Sequence, residues 1–129
     1  MSERYIAIQV VMMPSDTNPH GTIFGGVILS YIDMAGAIAA RRQSIAFGNS
    51  PEIAFVTVAF NRVEFKEPVY VGDVMRFETW ITRVGKTSIT VHIDVIAERT
   101  GKEIHVTEAE VVYVGIDSER HPMKINPQS

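Results

Sequence analysis

A chain of 129 residues, 46% hydrophobic and 21% charged, has the size and composition of one globular domain, neither fibrous nor disordered. Its formal net charge of -3 speaks against a nucleic-acid partner, whose phosphates favour a basic excess, and the absence of cysteine excludes disulfides and thiolate metal sites. Charges precede a short apolar run at the N-terminus, but Pro14 and Asp16 follow at once without a small-residue cleavage site. That pattern is not a signal peptide, and a cytoplasmic location is expected.

Tyr5 to Met13 is apolar and β-branched, ends at Pro14, and predicts a first strand. "PSDTNPHGTIFGG" follows as a loop, with two prolines, three glycines and turn-favouring Asx and Ser/Thr residues. A helix is predicted from Gly25 to Phe47, stopped by Gly48 and barred from continuing by Pro51. It is apolar nearly all round, yet Asp33, Ser30 and Gly36 interrupt it, where a membrane span would need about 20 uninterrupted apolar residues. A buried helix in a protein without membrane spans is the reading that fits.

The rest is strand-like. Residues 53–65 place Val56, Val58 and Phe60 on one face before the apolar phase changes to Val63 and Phe65, which predicts a bulge near Asn61 and Arg62. "EPVYVGD" is a turn. Val74 to Arg83 and Ser88 to Ala97 are strands joined by "VGKT", with Ile89, Val91, Ile93 and Val95 on one face and Thr90, His92 and Asp94 on the other. "ERTGKE" turns into a last strand from Ile104 to Ile116. One domain is expected over residues 5–117, followed by a polar tail over 118–129 that is frayed or lies loosely on the body. The order β-α-β-β-β-β suits an α+β hotdog fold, an antiparallel sheet wrapped around one long central helix. Its open edges predict at least a dimer.

Asp33 has Leu29, Ser30, Gly36 and Ala37 as neighbours one turn away, a largely small-residue stripe that lets a strand or a ligand approach. Such an aspartate either bonds to the backbone or to an arginine across an interface, or it works in a site, where costly carboxylates concentrate. Gly25 and Gly26 leave helix-start N–H groups free of side chains and aligned with the positive end of the dipole, fit to stabilise an oxyanion, or they simply allow a tight loop. Asp33 lies roughly two turns further on, about 10 Å along the axis, so the two features would serve one carbonyl only from opposite subunits.

Other signals fail. "VGKTS" lacks the glycine five positions before Gly85 that a phosphate loop requires, since Trp80 stands there. No G-x-S-x-G elbow surrounds any serine. His20, His92, His105 and His121 show no metal-ligand spacing, so no metal is expected.

Together, P-x-D-x-N at Pro14 to Asn18, the Gly25-Gly26 helix start, D-x-A-G at Asp33 to Gly36, F-x-x-P-V-x-x-G-D at Phe65 to Asp73 and V-G-K-T-S at Val84 to Ser88 form a specific combination. From about Val10 to Val95 the chain resembles the acyl-CoA thioester hydrolases of the hotdog superfamily, particularly the short bacterial YciA type and the repeats of cytosolic brain-type acyl-CoA hydrolase. The resemblance implies hydrolysis of fatty or short-chain acyl-CoA to free acid and coenzyme A, with no cofactor beyond the coenzyme A of the substrate. It puts the family's carboxylate on Asp33, as general base toward water or as nucleophile, and its oxyanion amides on Gly25 and Gly26 across a dimer interface. Asn18 would position the water or hold the loop. By position, Asn61, Arg83, Lys86, Thr87 and Ser88 are candidates to contact coenzyme A. A trimer of dimers is the assembly implied. The chain departs from the eukaryotic relatives at Thr22 and Phe24, where they carry asparagine and histidine. Two rivals stand beside the hydrolase: an enoyl-CoA hydratase using Asp16 and His20, which are one residue too close for that signature, and a non-catalytic acyl-CoA sensor.

Overall fold

The computed structural model describes residues 3–128. Its elements are β1 (Tyr5–Val11), a 3-10 turn (Pro14–Asp16), α1 (Gly25–Ala46), β2 (Ala54–Phe65), β3 (Val74–Val84), β4 (Ser88–Arg99) and β5 (Lys102–Ile116). The strands form one five-stranded sheet in the order β1-β3-β4-β5-β2, antiparallel at every pair. This is the β-α-β-β-β-β arrangement that the sequence predicts, with α1 lying across the inner face.

Period explains the fit. Ile28, Ile32, Ala35 and Ala39 recur at helical spacing and are buried, while Met75, Phe77, Ile81, Ile89, Val91, Ile93 and Val95 recur at strand spacing and are buried opposite them. Gly48 takes a φ of 93°, the left-handed conformation that ends a helix, and Asn49 N–H then closes on the Ser44 carbonyl. At the β4–β5 hairpin Thr100 and Gly101 both have positive φ, 48° and 79°, which matches the twist of the flanking strands.

One contact sets how closely helix and sheet approach. Tyr113 of β5 is fully buried, its hydroxyl donates to the Asp33 carbonyl at 2.8 Å, and its ring lies directly beneath Gly36. A Cβ on Gly36 would overlap that ring, at 2.7 Å from both Cε2 and Cζ. Burial, with the charge of Asp33 beside it, pushes the phenol pKa upward, so the hydroxyl stays a neutral donor.

Two expectations need revision. In β2 the phase changes twice, with register shifts between Thr57 and Ala59 and between Phe60 and Arg62. The second is the predicted bulge at Asn61; the first, at Val58, separates Val56 from Phe60, so these do not share a face. Thr57, Phe60, Val63 and Phe65 instead lie opposite Tyr113, Val111, Ala109 and Thr107 of the helix-facing side. The C-terminal segment is neither frayed nor loose. Met123 N–H donates to Gly115, Ile125 N–H to the Lys86 carbonyl, and Asn49 Nδ2 to the Ile125 carbonyl at 2.7 Å, with the Ile125 side chain buried. Hydrophobic Ile125 fills the space above Gly115, which composition averaged over a polar tail conceals.

The turn before β3 is fixed by an ion pair. Asp73 is 3% exposed and receives Arg99 Nε at 2.9 Å, Arg99 Nη2 at 2.7 Å and the Tyr70 N–H at 3.0 Å. Burial alone would raise its pKa, but the bonds from Arg99 and Tyr70 outweigh it and hold the carboxyl below the usual range.

Gly36→Ala should therefore destabilise the fold by about 1–3 kcal/mol through overpacking against Tyr113, a loss that chemical denaturation measures. For the ion pair, a depressed folded pKa gives stability that is complete above the unfolded value of about 3.9 and is lost as pH falls through it toward the folded value. Asp73→Asn should lower stability at neutral pH and flatten its decline in acid; denaturation curves from pH 7 to pH 2 check both.

Candidate active site

Asp33 lies in the third turn of α1, and its carboxylate reaches over β2. Oδ1 accepts a hydrogen bond from Thr57 Oγ1 at 2.5 Å, while Tyr113 holds the backbone carbonyl of the same residue. One residue is thus fixed through both its side chain and its main chain. In a single subunit the aspartate is half-buried, less enclosed than the apolar sequence around it suggests. Thr57 was not among the residues that the sequence singled out. Its signal was present, because it is the hydroxyl residue within the apolar run of β2, but only pairing to Tyr113 brings it under Asp33.

The helix start is unusually bare. No side chain caps it, and the first amides to close on a carbonyl are those of Val27 and Ile28, both on Phe24 O, at 3.1 and 3.4 Å. Those of Gly25 and Gly26 have no hydrogen-bond partner among the described residues. At Gly26 an added Cβ would meet nothing within 4 Å, so packing within the chain does not demand that glycine. Gly25 faces the Phe65 ring, at 3.6 Å from such a Cβ. Beside it opens a groove of about 290 Å³ lined by Thr22, Ile23, Gly25, Ile28, Phe65 and Val69, among others. A second groove of about 370 Å³ lies at the far end of the same seam, between Ala37, Ile38 and Arg41 of α1 and Ile53, Ala54 and Phe55. Asp33 sits between the two.

Asn18 spends its side chain inside the loop. Oδ1 accepts from His20 N–H at 2.8 Å and Thr22 N–H at 3.2 Å, and Nδ2 donates to Thr22 Oγ1 at 2.8 Å. Of the two roles open to it, holding the loop is the one that these bonds perform, with Thr22 as its partner. Asp16 is also engaged, accepting the Met13 N–H at 3.0 Å, and no hydrogen bond joins it to the His20 ring among the described residues.

The turn residues fall into two groups. Tyr113 stands opposite Ile89, so Lys86, Thr87 and Ser88 lie at the Asp33 end of the sheet, with Arg83 exposed just before the turn. The tail clamps this turn: Ile125 and Asn126 N–H groups both reach the Lys86 carbonyl, and Gly115 N–H reaches that of Thr87. Asn61 is exposed in the second bulge of β2, beside the Phe60 to Val111 pair, whereas Ser88 pairs with Val114. That is three residues along the sheet, roughly 10 Å at 3.3 Å per residue, and two strands away. Within one subunit Asn61 and the turn do not converge.

Comparison with known proteins agrees with this fold. The pattern of the Thioesterase superfamily matches residues 20–104. The acyl-CoA thioester hydrolase YciA of Escherichia coli is 36% identical over 122 residues, covering 91% of this chain and 87% of the relative. Among solved structures, Cj0915, a hexameric hotdog fold thioesterase of Campylobacter jejuni, superposes with a TM-score of 0.83 at 41% identity, over 95% of this chain and 91% of that one. HI0827, a hexameric broad specificity acyl-coenzyme A thioesterase, gives a TM-score of 0.82 at 33% identity, over 100% of this chain and 86% of that one. The helix cradled by a five-stranded sheet, the paired glycines and the matched sequence together make the chain a member of the hotdog thioesterase superfamily, in its YciA-type acyl-CoA thioester hydrolase branch.

Proposed function

We propose that the protein hydrolyses acyl-CoA thioesters to the free acid and coenzyme A in a site that two subunits complete. The observation that carries this reading is the Asp33 carboxylate, oriented by Thr57 at an open helix–strand seam whose other end presents the unpaired Gly25 and Gly26 amides. Eight residues of helix separate the two features, about 12 Å at 1.5 Å per residue, too far for one thioester carbonyl. A second subunit related by a two-fold axis brings the glycine amides of one chain to the aspartate of the other.

β2 supplies the means. It is an edge strand, and Val58 and Phe60 on it are exposed, as are Met34 and Ile38 on α1. Pairing two β2 edges removes both the open ladder and this apolar surface from water. Relatives described as hexameric support a trimer of such dimers. In the assembled site, Asp33 takes a proton from water as the water attacks the thioester carbon, and the Gly25 and Gly26 N–H groups receive the developing oxyanion. Attack by Asp33 itself is the alternative course. The thiolate leaves without a strong acid, because thiols ionise near pH 8.5. Arg83, Lys86, Thr87, Ser88 and Asn61 are assigned to coenzyme A, the two cations to its phosphates. The chemistry needs no metal or further cofactor, and it suits a cytoplasmic protein.

Purified protein offered acyl-CoAs of graded chain length with a thiol reagent should release coenzyme A. Asp33→Asn should lower kcat by about 10²–10⁴-fold with the assembly intact, the range for loss of a general base. Unchanged turnover would remove Asp33 from the mechanism, and binding without thiol release would make the protein a sensor.

A further inference from the structure

The outer face of the sheet, opposite α1, carries a row of acidic residues that this chemistry does not use. Glu78, Asp94 and Glu108 stand directly opposite one another on β3, β4 and β5, and Glu64 of β2 continues the row. Like charges paired across a ladder repel, so each gap calls for a cation. Arg4 fills the first, with Nη1 2.8 Å from Glu78 Oε1 and 3.1 Å from Asp94 Oδ2, and Arg76 also holds Glu78. Lys66 Nζ flanks Glu108 at 3.4 Å. Between Asp94 and Glu108 stand two imidazoles instead.

His92 Nε2 lies 3.0 Å from Asp94 Oδ1; His105 Nε2 lies 3.4 Å from that same oxygen and 3.8 Å from Glu108 Oε2. Donor atoms of His92, Asp94 and Glu108 all fall within 4.8 Å of one another, and His105 stands outside that trio, beside its two carboxylates. His105 Nε2 is shut off from solvent and makes no hydrogen bond. A tetrahedral ion with bonds of about 2.0–2.1 Å needs donors about 3.3–3.4 Å apart. The three measured separations bracket that value. Two imidazoles with two carboxylates suit a first-row divalent ion such as zinc, not calcium or magnesium, which favour oxygen alone. The donors are also braced from behind: the His92 ring stacks on Trp80 with centroids 4.3 Å apart, and Arg4 takes the second oxygen of Asp94.

We propose that His92, Asp94 and Glu108, with His105 as fourth donor, form a zinc-class cation site on the outer face of the sheet. It joins β4 to β5, and four protein donors leave no open position, which is the pattern of a structural ion. The site is independent of the thioesterase reading, since it faces away from Asp33. Spacing along the chain hides it: His92 and Asp94 of β4 reach Glu108 and His105 of β5 only through β4–β5 pairing, in which Asp94 stands opposite Glu108 and each imidazole approaches the same Asp94 oxygen. Lys66 is its competitor, because its ammonium lies 3.5 Å from His105 Nδ1 as well as beside Glu108.

The test uses full-length, tag-free protein in its native assembly, stripped with chelator and titrated calorimetrically with Zn²⁺, and with Co²⁺ followed by visible absorption. One ion per chain, tetrahedral Co²⁺ bands and a raised melting temperature are expected, with Mg²⁺ giving none of these. The His92→Ala and His105→Ala double variant should weaken binding by more than about tenfold, given that even an outer-shell partner is worth 10–100-fold. Lys66→Ala, a mild change at an exposed position, should tighten it. No saturable binding, binding unaltered in the histidine variant, or binding weakened by Lys66→Ala would each overturn the proposal.

Discussion

The approach of α1 to β5 governs the rest of the molecule. Tyr113 occupies the space that a side chain at position 36 would take, and its hydroxyl finds the Asp33 carbonyl. Glycine at 36 is therefore what allows a large aromatic to be buried beneath a helix without pushing it off the sheet. The same contact sets the height and rotation of the helix at Asp33, so the carboxylate falls over Thr57 of β2. A carboxylate placed this way costs little to keep, because it is half-exposed and already accepts a short bond.

What surrounds Asp33 is only part of a site. β2 is an edge strand bent by two bulges, α1 exposes apolar side chains, and the helix begins with two amides that nothing among the described residues satisfies. Each is a local deficit: an open ladder, an uncovered surface, unpaired donors. They lie along one seam, so the proposed two-fold pairing of subunits would answer all three. The charged outer face obeys a different logic, with acidic residues in register and cations set between them. The described residues include no helix long and apolar enough to cross a membrane.

The fold was legible because its elements have clean periods. Val91, Ile93 and Val95 alternate strictly, α1 is closed by Gly48, and the resulting order admits few arrangements. Asp33 and the glycine pair were legible too, as anomalies within an apolar helix and as parts of a family pattern. What escaped depends on partners far along the chain. Thr57 is unremarked until it pairs with Tyr113, the bulge at Val58 leaves a plausible alternation intact, and Ile125 is one apolar residue in a polar tail. The histidines show the same limit, since a rule on spacing sees His92 and His105 as unrelated while in the fold both approach one oxygen of Asp94. Asn18 stands out in the sequence as a loop asparagine, but its bonds to His20 and Thr22 are visible only in the fold.

The hydroxyl of Tyr113 and the carbonyl of Asp33 are 80 residues apart in the chain, and the segment that clamps the β3–β4 turn comes later still. During synthesis α1 emerges long before the strand it rests on, and its apolar surface must wait in water, or under a chaperone, until β5 is released. Non-local contacts of this kind close late and slow the search for the native state. The residue that brings helix and sheet closest in the finished protein thus leaves the apolar face of the nascent helix uncovered until β5 is made, and the segment around Ile125, later still in the chain, clamps the β3–β4 turn.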